Sequence, residues 1–312
     1  MRRSAKPILG SVREKQMDSF QFELIAQNLV NGVLLGTMYG MAAIGLSLIF
    51  GTMRIVFIAQ GSVLVFFAYL CYWLFTLAGI DPYLSIIIIV PIAFIIGVVF
   101  YYGLFKESAA LKDRISSLLI AVGLMFALEN IMTLVWTPNP RAVVTSYGFT
   151  SFTVLGINLT MNRLIGLLIA IVATVGVLLF LKKTVIGTAV RAASEDVEAS
   201  MLMGINPNKV NAIAFAIGMG LAAIAGINVA STYSFDPVYG FDIAIKALFA
   251  LTLGGIGTIY GALLGGIFIG LVEMIGTYFV GGGWAQAILF MVFLLALTIR
   301  PNGLFSKAGQ QA

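Results

Sequence analysis

Residues 164–181 read LIGLLIAIVATVGVLLFL, an apolar run with no charged residue, closed by Lys182 and Lys183. A helix needs about 20 predominantly apolar residues to cross the hydrocarbon layer of a bilayer. Working outward, comparable runs occupy residues 24–50, 56–78, 83–105 and 116–136 before it, and 210–230, 243–253, 262–280 and 284–299 after it. The run at 243–253 is too short to cross alone, unless it extends into the glycines that follow. The chain therefore reads as an all-α, polytopic integral membrane protein with eight or nine transmembrane or re-entrant helices. Composition agrees: 60% of the 312 residues are hydrophobic and 10% are charged, against about 25% charged in soluble domains.

Several functions are excluded at this level. The 18 Lys and Arg are scattered, whereas a nucleic-acid surface gathers them on one face. There is no His, which removes the commonest metal ligand and the usual general base near neutral pH. Cys71 is the only cysteine, so an intramolecular disulfide cannot form. No nucleophile–base pair can be assembled, and the chain is expected to bind no metal or cofactor of its own.

Lys and Arg in short loops favour the cytoplasm. Lys106, Lys112 and Arg114 mark one cytoplasmic loop; Lys182, Lys183, Arg191 and Lys209 mark a second; Arg300 and Lys307 mark the C-terminus. The stretch at 137–162 is then external. Three full crossings before Lys106 put the N-terminus outside, against the basic residues Arg2, Arg3, Lys6, Arg13 and Lys15. Either an early segment is re-entrant or broken, or residues 1–20 form a basic extension outside the working protein, with Met17 as the start. The expected organisation is this extension, a membrane body at 21–306 containing the loop at 182–209, and a tail at 307–312.

Small residues four apart let membrane helices approach closely. Gly32, Gly36 and Gly40 make one such stripe, Gly257, Gly261 and Gly265 another, and Gly266 and Gly270 lie beside the second. They serve tight packing within the chain or an interface with another subunit. Among polar residues in the runs, Glu129 and Glu273 stand out. An acid at the centre of a membrane helix costs about 2.5–3.5 kcal/mol on insertion scales, so it normally faces a cavity or a partner. Asn28, Asn31, Gln60, Asn130 and Asn228 are amides whose ordinary role is hydrogen bonding between helices. Asn28, Asn31, Gln60, Glu129, Asn130 and Glu273 are the candidates to line a translocation path.

The loop at 182–209 is the most informative. Ser194 is placed to cap a helix whose first turn holds Glu195 and Asp196, acids favourable at a helix N-terminus. Gly204 fits the left-handed position that ends it, Ile205 the apolar contact beyond, and Pro207 the stop. Val190, Ala193, Val197, Met201 and Ile205 recur at steps of three or four and form an apolar stripe. A helix lying in the lipid surface usually offers Lys and Arg to anionic headgroups. This one offers Glu195, Asp196 and Glu198, which fits a cytoplasmic protein partner better.

Glu198-Ala199-Ser200-Met201-Leu202-Met203-Gly204 resembles the Glu-Ala-Ala-x-x-x-Gly signature with which permeases of ATP-binding-cassette (ABC) importers contact their ATPases. The wider run from Gly187 to Asn206 resembles branched-chain amino acid permeases of the LivH/LivM type. Phe215-Ala216-Ile217-Gly218, Leu253-Gly254-Gly255-Ile256-Gly257, Gly270-Leu271-Val272-Glu273 and the closing Arg300-Pro301-Asn302-Gly303-Leu304-Phe305 continue the likeness, which covers nearly the whole chain from Phe22 onward. Two departures bear on substrate. Phe57-Ile58-Ala59-Gln60-Gly61 stands where family members commonly have Asn-Phe-Ala-His-Gly, and Leu128-Glu129-Asn130 where they often have Leu-Gln-Asn.

The resemblance implies a non-catalytic permease subunit in a prokaryotic cytoplasmic (inner) membrane, most simply for branched-chain or other apolar amino acids. Urea or short amides within the same importer class are the alternative. An ion-coupled secondary transporter is the rival class, which calls for discontinuous helices and coupling-ion carboxylates. The implied partners are two cytoplasmic ABC ATPase subunits that use the ATP, a second permease (related or identical), an extracytoplasmic substrate-binding protein and the lipid bilayer, with no nucleic acid. Arg191, Glu195, Asp196, Glu198, Ala199, Met201, Gly204 and Ile205 are the implied ATPase-coupling residues.

Overall fold

The computed structural model describes residues 6–110, 114–154, 157–255, 257–300 and 303–304. The side chains of 6–20 fall outside the described set. So do Lys112, the tail from 305 onward, and with them the question of Met1 or Met17 as the start.

Helix α1 runs over Lys6–Met53, α2 over Gln60–Ala78, and α3 over Ile86–Phe100, continuing through a π-helical turn at Tyr101–Phe105 into α4, Lys106–Ala110. Then come α5 (Arg114–Trp136), a 3₁₀ turn at Ser146–Phe149, strands β1 (Ser151–Val154) and β2 (Ile157–Thr160), and α6 (Met161–Lys183). The chain continues with α7 (Val185–Glu195), α8 (Val197–Leu202), α9 (Pro207–Thr232), α10 (Tyr239–Gly254), α11 (Ile259–Val280) and α12 (Gly282–Ile299). The body is helical as expected, with one addition: β1 and β2 form a small antiparallel hairpin with Ser151 opposite Thr160.

Eight helices among the described residues are long and apolar enough to span a membrane: 23–53, 60–78, 86–109, 115–136, 161–183, 207–232, 259–280 and 282–299. Burial separates the centre from the rim. In the spans on α1 and α9, 89% of the apolar window is buried, against 11% for α12 and 22% for those on α3, α5 and α6. The first two form the core, and the others offer apolar faces to lipid or to another chain.

The short seventh segment does not extend into the glycines after it. Helix α10 stops at Gly254, because Gly255 turns away at φ 94°, and it gains length at the other end, from Tyr239. At 1.5 Å per residue its length is about 24 Å, a short crossing buried against α1, α2 and α11.

Glycines set the close approaches. A Cβ on Gly36 would meet the backbone of Gly266 and Ile267 on α11, and one on Gly270 would meet Gly32 and Gly36 on α1. Gly40 lies against Leu263. Gly261 and Gly265 face α10, against Gly254 and Ala250. Gly257 departs from the expected stripe. It precedes α11, has φ +83° and faces open space where a Cβ would stand. It serves the turn, where positive φ favours glycine.

The two faces of the molecule can be told apart. Gln27 on α1 exchanges hydrogen bonds with Asn158 on β2, at 2.9 and 2.7 Å. At the far end of α1, Gly51 lies beside Ser194 of α7. The side carrying α7 and α8 also carries Lys182, Lys183, Arg191 and Lys209, which makes it cytoplasmic by the positive-inside rule. Helices α1, α2 and α3 are each continuous, so no early segment is re-entrant or broken, and Gln27 lies on the outer side.

Candidate functional site

The first candidate site is the cytoplasmic unit α7–α8. Thr184 begins it, its hydroxyl accepting the Gly187 N–H at 2.9 Å. Val190 and Ala193 are buried, fixing α7 onto the body. Ser194 does not cap: it lies inside α7 with its hydroxyl on the Arg191 carbonyl at 2.7 Å. The cap is Asp196, one helix later. Its carboxylate accepts the N–H groups of Glu198 and Ala199 at 2.9 and 3.0 Å. The choice follows from backbone: Asp196 is extended, at φ −147° and ψ 109°, while Ser194 is helical. The expected single helix is therefore two.

That break redirects the apolar stripe. Val190 and Ala193 are buried, but Met201 is 45% exposed, and beside it Leu202 is 89% and Met203 83% exposed. Helix α8 ends as expected. Gly204 sits at φ +81°, its N–H donating to the Met201 carbonyl at 3.0 Å, and Ile205 N–H reaches back to Ser200 at 3.1 Å. These two bonds satisfy carbonyls that a helix end leaves open. Asn206 caps α9, and Pro207 occupies its first position. Arg191, Glu195, Asp196, Glu198 and Ala199 lie exposed on this unit, with Ile205 half-buried.

The second candidate is a buried charge cluster in the membrane body. Lys246 on α10 is 7% exposed. Its ammonium lies 2.7 Å from Asp242 Oδ2, one turn earlier, and 2.8 Å from Glu273 Oε1 on α11. It also donates to Tyr39 Oη on α1 at 3.3 Å. Glu273 Oε2 is buried without a hydrogen-bond partner among the described residues, and Asp242 accepts from Gln286 on α12 at 3.0 Å. The cluster joins α1, α10, α11 and α12. Sequence reasoning found Glu273 and missed Lys246, Asp242 and Tyr39. The available signal was a lysine in the apolar run at 243–253.

The other path candidates do not gather around it. Asn31 Oδ1 accepts from Arg163 at 2.5 Å and from Gln27 at 3.4 Å, near the outer end. Gln60 is 1% exposed and ties α2 to the Gly218 carbonyl of α9 at 3.2 Å, leaving its Oε1 without a partner among the described residues. Glu129 accepts the Ser62 hydroxyl at 3.1 Å, joining α5 to α2. Asn28 and Asn130 bond back to Leu24 and Phe126 of their own helices. Asn228 donates to the Gly166 carbonyl of α6 at 3.2 Å. Among the described residues no group of three or more His, Cys, Asp or Glu is placed to hold a metal ion.

Comparison with known proteins gives a family match, three relatives and one solved structure. A family model described as branched-chain amino acid transport system / permease component matches residues 28–297. The high-affinity branched-chain amino acid transport system permease protein BraD of Pseudomonas aeruginosa is 29% identical, over 90% of this chain and 95% of its own length. The corresponding LivH protein of Escherichia coli K12 is 28% identical over 93% and 98%. A probable LivH of Methanocaldococcus jannaschii is 28% identical over 88% and 91%. A solved structure, PsaBC from Streptococcus pneumoniae in complex with Fab, covers 93% of this chain and 96% of that one at 14% identity. Its TM-score of 0.47 is too low to bear on the argument.

Proposed function

The chain belongs to the permease components of branched-chain amino acid transport systems, and from that premise we propose that it forms the path of an ATP-driven importer for branched-chain or other apolar amino acids. The membrane is the prokaryotic cytoplasmic membrane. Two cytoplasmic ATPase subunits supply energy, a second permease (related or identical) completes the membrane part, and an extracytoplasmic binding protein delivers substrate to the outer loops at 137–162 and 231–242.

The observation that carries the coupling role is the tip of α8. A chain that buries Val190 and Ala193 leaves Leu202 at 89% and Met203 at 83% exposed, beside exposed Glu195 and Asp196. Exposed apolar side chains rimmed by polar ones mark interaction sites. The acids disfavour an anionic lipid surface as the occupant, and an ATPase is the partner this proposal assigns. Closure of the ATPases on ATP would then push α7–α8, and the push passes to α1, α6 and α9, against which α7 packs. The result is alternation between outward and inward access.

The test is co-purification of the ATPase subunits with wild type and with Leu202→Asp. The substitution places a charge on an exposed position, so folding is expected to survive. Loss of the ATPases from a folded variant supports the reading, and undiminished recovery contradicts it.

A further inference from the structure

The spans at the rim are not alike. Over residues 86–100 of α3 and 164–181 of α6 the exposed residues are all apolar, as hydrocarbon requires. Helix α5 differs. Its buried stripe is Ala121, Met125, Leu128 and Met132. At 3.6 residues per turn, Asn130 lies about 170° around the helix from the middle of that stripe. The amide therefore sits at the centre of the outward face, and it is exposed. It is six residues short of Trp136, about 9 Å inside the end of α5 and within the apolar run.

The surroundings of Asn130 are also unlike a lipid face. Its Nδ2 donates to the Phe126 carbonyl at 2.7 Å, and its Oδ1 has no donor among the described residues. Glu129 stands beside it, half-buried, with Oε1 accepting the Ser62 hydroxyl at 3.1 Å. No Lys or Arg pairs with Glu129 among the described residues, where the ion pairs belong to Lys246. Gly123 and Ala127, four apart, are exposed on the same outward side, and a Cβ on Gly123 would meet nothing within 4 Å. An amide is out of place against lipid tails, whereas amides and small residues are what membrane helices use to meet one another.

We propose that the outward face of α5 is the seam with the second permease, and that this permease is a related, non-identical chain bringing hydrogen-bond donors to Glu129 and Asn130. Charge decides against a second copy. Two copies inserted the same way are related by a two-fold axis along the membrane normal, across which the face meets itself. Glu129 would then stand at the depth of its own counterpart, and residues 115–136 hold no Lys or Arg to place between them. Like charges set against each other disfavour an interface. That the partner is a permease rests on the importer reading above; the need for a polar cover on this face does not.

The test is photocrosslinking of the full chain in its native membrane. Benzoylphenylalanine replaces Phe126 on α5, and in separate controls Ile95 on α3 or Leu168 on α6; all three positions are more than half exposed. After irradiation the adducts are identified by peptide sequencing. The expected result is an adduct from position 126 with a non-identical permease of the same family, and lipid adducts alone from 95 and 168. Adding Asn130→Leu should lower the yield at 126 by about fivefold, the scale of one interhelical amide bond. That variant suits a lipid-facing position, so insertion is expected to survive. Lipid alone at 126, equal protein yields at all three positions, or an adduct with a protein that is not a permease would overturn the seam. An adduct with a second copy of this chain would overturn the non-identical partner. Should Asn130→Leu fail to insert, the comparison of 126 with 95 and 168 decides without it. ATP-dependent leucine uptake measured in parallel separates the two ideas. Uptake without a permease adduct at 126 removes the seam alone, and a permease adduct without uptake removes the importer reading alone.

Discussion

Lys246 shows what one residue does here. Its ammonium sits between Asp242 and Glu273, with Tyr39 as a further partner. Removing a buried charge leaves its partner uncompensated, which typically costs about 3–5 kcal/mol, while replacing the whole pair with apolar residues is often neutral. Lys246→Met is therefore expected to lower stability by about 3–5 kcal/mol. Lys246→Met with Glu273→Met should recover most of it, since Asp242 is half-exposed and keeps its bond to Gln286. Thermal unfolding of the four members of the cycle in detergent measures this. Additive losses would show that the pair is not coupled. Glu273 was legible in the sequence as an acid in an apolar run. Its partner was not, because α10 and α11 fold back on each other through a turn whose geometry the sequence does not display. Ser194 and Asp196 show the same limit: both are good capping residues, and the extended backbone at Asp196 decides between them.

At the scale of elements, α8 depends on that cap. Asp196→Ala removes the acceptor for two N–H groups and is expected to destabilise α8 by about 1 kcal/mol. Asp196→Asn keeps an acceptor oxygen and should behave as wild type. Amide exchange across 197–203 reads the difference, and unchanged protection in Asp196→Ala would contradict the capping role. The membrane helices themselves were legible, because long uncharged runs admit few alternatives to a span. The exception is α10, a short helix covered by α1, α2 and α11, which needs neither full span length nor a lipid-facing surface. The glycine stripes were visible too, but not their pairing. Gly32 and Gly36 meet Gly266 and Gly270, whereas Gly261 and Gly265 face α10. Spacing alone cannot distinguish these assignments, or remove Gly257 from the second stripe.

For the whole molecule, the first span now has a direction. Gln27 lies with the β1–β2 hairpin, and Gly51 with α7, so in intact cells a membrane-impermeant thiol reagent should label Ser151→Cys and spare Val185→Cys. The reverse pattern would invert the molecule. With that direction, the β1–β2 hairpin lies on the outer side and the α8 tip on the cytoplasmic side, with α1, α6 and α9 between them. Belonging to the branched-chain permease family accounts for the body, and the coupling of that body to ATP is the central claim. It is tested most directly by ATP-dependent leucine uptake into proteoliposomes holding the chain, its second permease, the ATPases and the binding protein, with wild type and Gly204→Pro compared. Proline cannot adopt φ +81° and has no N–H for the Met201 carbonyl, so α8 loses its terminus while the spans stay intact. The account predicts leucine uptake by wild type that requires ATP, and its loss in the variant with the membrane complex still folded. Uptake by wild type without ATP, driven by an ion gradient, would contradict it.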